Sequence, residues 1–215
     1  MRQKELRKMD EIFILGTGVL AEEFLALAMH AGIHVAGFVE NLDQKKDGTS
    51  LCDRPILWVD RLPQGAACVC AIATTKRHLF IKQLEGKAKF INLVHPSSII
   101  LPKSTLGEGT TVSSGVLVAS NTTIGRHVFL NRGARVGHHT KIGDYVTIQP
   151  GANIAGLVVI GDATYIGMGS IVLDRLKIGS GVTVAAGAVV IKDVPDHVLV
   201  AGNPAVIKKK DIGPT

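Results

Sequence analysis

Aliphatic residues recur at every sixth position through the second half of the chain. From Leu106 to Val190, all fifteen positions spaced by six are Ile, Leu or Val. If a third of all residues were aliphatic, such a run would arise by chance on the order of once in 10⁷ trials. Four residues after each of these, the chain carries Thr, Val, Ala or Ser, with Leu176 the one larger residue. Two inward positions per hexad, one bulky and one small, suit a flat face that meets a tight corner. A period of 18 overlies the first: Gly107, Gly125, Gly143, Gly161 and Gly179 form one series, and Gly115, Gly133, Gly151, Gly169 and Gly187 another. Three hexads therefore make one coil of a parallel β-helix, with glycine where a corner needs a backbone angle or a close approach that a Cβ would hinder. The expected coils are 106–123, 124–141, 142–159, 160–177 and 178–195, after an irregular lead-in from His95 to Lys103. Stacked at ~4.8 Å each, they form a prism about 24 Å tall.

The first part of the chain has a different pattern. Glu11–Leu15 reads as a buried strand, Val19 to about His30 as an apolar-periodic helix, and Ile33–Val39 as a second strand ending in Glu40-Asn41. Val69–Ala73 and Lys89–Val94 read as further strands, with a helix from Lys76 to about Leu84 between them. This predicts a small Rossmann-like α/β domain over residues 1–94, the β-helix over 95–200 and a tail over 201–215. Gly16-Thr17-Gly18 would form the turn that opens a helix N-terminus to phosphate, although Ala21 stands where a third glycine is usual. Glu40 and Asn41 follow where a ribose would sit. These five residues are the candidates for holding a nucleotide-linked substrate. The plainer alternative is a domain that only packs against the prism.

Composition narrows the picture. Apolar residues make up 46% of the chain but aromatics only 4%, as a narrow, repetitive aliphatic interior requires. Met1–Asp10 is charged rather than apolar, and no stretch reaches the ~18–20 apolar residues of a bilayer span, so a cytoplasmic protein is expected. Cys52, Cys68 and Cys70 are odd in number and read as reduced core thiols rather than a metal site. The formal charge of +6 points to an anionic ligand, and the scarcity of aromatics favours a phosphate-bearing small molecule over nucleic acid.

Histidine is the natural base near neutral pH. Of eight, His30, His34, His78 and His197 fall at surface or packing positions, and His127 falls near a prism corner. His138 differs, because Val136 and Thr140 are the inward residues of its hexad and leave it on the outer wall beside His139. One coil on, 18 residues later, is Gly156. Nothing in the repeat asks for glycine there, since the equivalent residues are Ser120, Asp174 and Lys192. A base facing an unshielded backbone can deprotonate a nucleophile while a main-chain N–H receives an oxyanion, so His138, His139 and Gly156 are the catalytic candidates.

With those residues in place, the sequence resembles the bacterial sugar O- and N-acetyltransferases of the NeuD and PglD type. The resemblance rests on His95-Pro-Ser97, Val136-Gly-His-His139 through Ile142-Gly-Asp144, Gly151 to Gly156, and Asp193-Val-Pro to Gly202-Asn-Pro-Ala205. It implies a left-handed helix, homotrimers with active sites between neighbours, acetyl-CoA as co-substrate and no metal. It places the general base on His138, the amide near the acetyl carbonyl on Gly156 and a polar sugar contact on Asn131. Two positions depart from it: His139 stands where an acid commonly follows the base, and Thr147 replaces a second histidine of the sugar site. For the CoA phosphates, Arg175, Lys177, Lys192 and Lys208–Lys210 are the candidate cations. The leading expectation is N-acetylation of a nucleotide-linked amino sugar. The alternatives are O-acetylation of a sialic-acid-like sugar, a non-catalytic sugar-nucleotide scaffold, and a zinc carbonic anhydrase built on His127, His138 and His139.

Overall fold

The computed structural model describes residues 11–213; the charged segment Met1–Asp10 lies outside the described residues, as do Pro214 and Thr215. The first part is one sheet with helices on both faces. Its elements are β1 (Ile12–Leu15), α1 (Val19–His30), β2 (Val35–Glu40), β3 (Ser50–Leu51), β4 (Arg54–Trp58), β5 (Ala67–Cys70), α2 (Arg77–Gln83) and β6 (Lys89–Phe90). The strand order is β3-β4-β2-β1-β5-β6, parallel throughout except for the β3–β4 hairpin. Alternation along β1 explains the layering. Ile12 and Ile14 pack with Ala21, Phe24 and Leu27 of α1, whereas Phe13 and Leu15 pack with Phe80, Ile81 and Leu84 beside α2.

One expectation changes here, and one element is new. The β3–β4 hairpin has no clear alternation to reveal it. Its two-residue turn is Cys52-Asp53, both at positive φ (47° and 58°), so Cys52 is exposed and not a core thiol. Cys68 and Cys70 are buried in β5, where burial pushes both thiols up to about 12 and keeps them protonated.

The rest of the described chain winds around three parallel sheets of two-residue strands. The first face runs through Thr111–Val112, Phe129–Leu130, Thr147–Ile148, Tyr165–Ile166 and Thr183–Val184. The second runs through Leu117–Val118, Arg135–Val136, Asn153–Ile154, Ile171–Val172 and Val189–Val190. The third runs through Thr105–Leu106, Thr123–Ile124, Lys141–Ile142, Val159–Ile160 and Lys177–Ile178. Partners in each ladder are 18 residues apart, as Arg135 with Asn153 shows. The inward column of Val, Ile and Leu forms a single core, and the threonines at the small inward positions satisfy their hydroxyls on the coil above, as Thr122 does with the Gly137 carbonyl at 2.9 Å.

The repeat starts earlier than its sequence suggests. Leu93–Val94 pairs with Thr111–Val112, and Ile99–Ile100 with Leu117–Val118, so the supposed irregular lead-in is in register and the strand expected over Lys89–Val94 divides between β6 and the prism. At the far end, Leu199–Ala201 extends the first face and Val206–Lys209 folds back antiparallel on it.

Each corner is turned by one residue in the left-handed region, and the two glycine series have separate causes. Gly115, Gly133, Gly151, Gly169 and Gly187 turn the corner between the first and second faces with φ of 63–67°. Gly143, by contrast, is needed for space: a Cβ there would lie 2.2 Å from Oδ1 of Asp162, which folds in to accept the Asp144 N–H at 2.8 Å. The other corners are turned mostly by non-glycine residues, with Gly109 and Gly181, between the third and first faces, as the exceptions. Asn121, His139, Leu157 and Arg175 lie between the second and third faces, and His127, Tyr145 and Ala163 between the third and first.

Candidate active site

In the first domain β1 has β2 on one side and β5 on the other, so the strand order reverses at β1 and opens a crevice at the carboxyl ends of these strands. Gly16 (φ 102°) turns the chain out of β1, with its N–H on the Val39 carbonyl, and Gly18 is the N-cap of α1 without a capping side chain. The first amides of α1 and its positive dipole end therefore face this crevice, a setting suited to phosphate. Thr17 donates to Glu40 Oε2, Lys46 Nζ sits 2.9 Å from Thr17 Oγ1 and 3.4 Å from the same carboxylate oxygen, and Glu40 Oε1 accepts the N–H groups of Asn41 and Leu42. Burial raises the pKa of Glu40, but these hydrogen bonds outweigh it and hold the carboxyl below its usual range. Gly16, Thr17, Gly18 and Glu40 thus come together as expected. Lys46 joins them without having been anticipated, because a lone lysine in a polar loop gives no sequence signal. Asn41 turns aside, donating to Gln83 Oε1 at 2.8 Å.

On the prism, His138 and His139 sit at the corner between the second and third faces, both exposed. The Nδ1 atoms of the two rings are 3.0 Å apart and the rings stand edge to face at 86°. The opposite edge of His138 lies against Gly156, where an added Cβ would fall 2.8 Å from both Cε1 and Nε2. Glycine at this place is what lets the imidazole lie over the next coil. Ala155 and Leu157 use their N–H groups on the Val172 and His138 carbonyls, whereas the Gly156 N–H has no partner among the described residues. Further along the same corner Arg175 pairs with Asp174 at 3.3 Å, and the column continues to Lys192; Lys177 is exposed on the third face.

Asn131 and Thr147 lie elsewhere. Asn131 follows the first-face strand, donates to Gln149 Oε1 at 3.1 Å, and neighbours Arg132, whose guanidinium pairs with Glu23 of α1. Thr147 is fully buried in the junction between the domains. It donates to the Ala73 carbonyl at 2.8 Å and accepts from Arg77 Nη1 at 2.7 Å, so the sugar contact expected of it is replaced by a structural one. Arg77 was not anticipated, because nothing marks a helical arginine as interior. His127 is also part of the junction. It is stacked on Tyr145 at 5.3 Å and edge-on to Phe90 at 4.8 Å, and burial, followed by the nearby Arg126 and Arg77 charges, lowers its pKa to about 4. It is a neutral packing ring on a different corner from His138 and His139. Among the described residues no group of three or more His, Cys, Asp or Glu is placed to hold a metal ion.

Residues 121–156 and 157–192 match the family described as bacterial transferase hexapeptide (six repeats). No curated protein matches the chain by sequence. Solved structures do match over nearly its whole length. A His→Asn variant of perosamine N-acetyltransferase from Caulobacter crescentus, in complex with CoA and GDP-perosamine, is 28% identical with a TM-score of 0.83, covering 93% of this chain and 97% of its own. The acetyltransferase domain of PglB from Neisseria gonorrhoeae, in complex with acetyl coenzyme A, is 26% identical with a TM-score of 0.83, covering 92% and 98%. WeeI from Acinetobacter baumannii is 30% identical with a TM-score of 0.82, covering 92% and 99%.

Proposed function

Since the chain belongs to the hexapeptide-repeat, left-handed β-helix sugar acetyltransferases, we propose that it moves the acetyl group of acetyl-CoA onto the amine of a nucleotide-linked amino sugar. The observation that carries this reading is the outward imidazole of His138 laid against Gly156. His138 Nε2 takes a proton from the sugar amine as its nitrogen attacks the thioester carbon. The carbonyl oxygen becomes an oxyanion facing the Gly156 N–H, and collapse breaks the C–S bond. The proton then passes from His138 to the departing CoA sulfur, which leaves as the thiol and restores the neutral base. The Rossmann-like first domain holds the nucleotide, its diphosphate on Gly16, Thr17 and Gly18 at the start of α1 and its ribose beside Glu40, with Asn131 toward the sugar. An acceptor panel with acetyl-CoA, read by mass spectrometry, tests this. A nucleotide-linked amino sugar should gain one acetyl group on nitrogen. Acetylation only of a free acidic sugar on oxygen, or tight CoA binding without turnover, would replace it with the O-acetyltransferase or scaffold reading.

The positions of these groups support a trimer. The first domain packs on the prism around His127, Phe129, Tyr145 and Thr147, whereas His138 is on the corner across the second face. A nucleotide sugar held in one copy therefore meets His138 of the next copy in a trimer, with Ile171, Leu173 and Ile191, exposed on the second face, covered between them. The solution mass should be near three times 22.7 kDa, and a fully active monomer would overturn this. Arg175, Lys177 and Lys192, on coils beyond Gly156, are the candidates for the CoA phosphates. Joint charge reversal should raise the acetyl-CoA KM roughly ten- to a hundredfold, and an unchanged KM would send the cofactor elsewhere. The described residues include no helix long and apolar enough to cross a membrane, and acetyl-CoA dependence fits a cytoplasmic site.

A further inference from the structure

Two imidazole nitrogens 3.0 Å apart share a single proton, because two lone pairs repel and two N–H groups collide. One Nδ1 therefore donates and the other accepts. Because the Cε1–Nε2 edge of His138 lies against Gly156 while its Nδ1 faces His139, the reacting nitrogen and the paired nitrogen are on opposite sides of the ring. On the reading that His138 is the base, Nε2 must present a lone pair, so Nδ1 must carry the hydrogen. We infer that His139 is a positioning residue that acts as a neutral hydrogen-bond acceptor: its Nδ1 lone pair fixes His138 in the Nδ1–H tautomer and steadies the imidazolium formed during transfer. A carboxylate would do the same work with a full negative charge; here a second imidazole does it with none.

The repeat supplies its own controls. His139 turns the corner at φ 57°, and on the neighbouring coils the same turn is made by Asn121 at φ 59° and Leu157 at φ 63°. Asparagine and leucine are therefore both compatible with the backbone at this corner. They differ in chemistry: the Asn side-chain oxygen can accept from His138 Nδ1–H, and Leu cannot.

The test compares H139N, H139L and H138A in the full-length protein, with acetyl-CoA and the acceptor identified by the panel. H139N should keep kcat within about threefold, and H139L should lose at least about tenfold in kcat with KM for acetyl-CoA unchanged, as expected when a base loses its tautomer partner. Histidine ¹⁵N spectra of H139N should show His138 protonated at Nδ1 and not at Nε2. Equal kcat for H139N and H139L, whether both normal or both impaired, would overturn the inference, as would an Nε2–H tautomer at His138. The two readings separate on H138A. If H138A stays active, the assignment of the base fails; if H138A is inactive while H139N and H139L match, only the role given to His139 fails.

Discussion

Replacing His138 with alanine should lower turnover by ~10²- to 10⁴-fold, the range usual for removing a general base, while leaving the protein folded. Folding survives because the side chain is exposed and, among the described residues, hydrogen-bonds only to another exposed ring. Its structural duty is carried by the main chain, whose carbonyl still accepts the Leu157 N–H at 2.8 Å. Val136 and Thr140, the inward residues of the hexad, remain buried. Gly156→Ala approaches the same site from the opposite side: its Cβ would fall 2.8 Å from Cε1 and Nε2 of His138, so the ring must swing away, and kcat should fall without loss of the fold. Steady-state kinetics alongside thermal melting check both. If His138→Ala retains turnover within about threefold at equal stability, the base lies elsewhere.

How much of this was readable depends on which physical constraint wrote each position. The prism was legible because one rule, an aliphatic residue inward at every sixth step, is enforced by a core with no room for exceptions. The same rule placed His138 outside without any structure. Its start was misjudged for an equally physical reason: Asn92, whose Oδ1 accepts the Thr110 N–H at 3.0 Å, and His95-Pro96 interrupt the hydrophobic pattern, while the backbone ladder that keeps Leu93 and Ile99 in register leaves no mark in side-chain identity. In the first domain β1, α1 and β5 were legible from their apolar periods, but the β3–β4 hairpin, half-exposed and turned by Cys52-Asp53, was not. The contacts between domains were illegible in principle. Arg77 lies 50 residues before His127 and 70 before Thr147, and each alone reads as an ordinary surface or sugar-site residue.

Arg77→Met should destabilise the junction by roughly 3–5 kcal/mol, the cost usual for removing one partner of a buried charged network. Arg77 is 2% exposed and its guanidinium uses every donor it has. Nε donates to the His127 carbonyl at 2.8 Å, Nη1 to the Thr74 carbonyl and Thr147 Oγ1 at 2.8 and 2.7 Å, and Nη2 to the Tyr145 and Val146 carbonyls at 2.9 and 2.7 Å. Among the described residues no carboxylate pairs with it, so its charge is held by carbonyl dipoles. Burial lowers its pKa to about 10, which still leaves it charged at neutral pH. Methionine keeps the apolar stem and abandons those oxygens in a space that water does not reach. Lysine should rescue little, since a single ammonium cannot span acceptors arranged for a planar fork. Function should suffer in a specific way, because the same network, with Thr147 on the Ala73 carbonyl, fixes the loop after β5 that walls the crevice proposed for the nucleotide. KM for the nucleotide sugar should rise while KM for acetyl-CoA, whose proposed site at the prism corner lies away from this network, stays near normal. Denaturant unfolding monitored at Trp58 in the first domain, together with the two Michaelis constants, decides the matter; a midpoint and a sugar KM both unchanged would mean that the arginine only fills space.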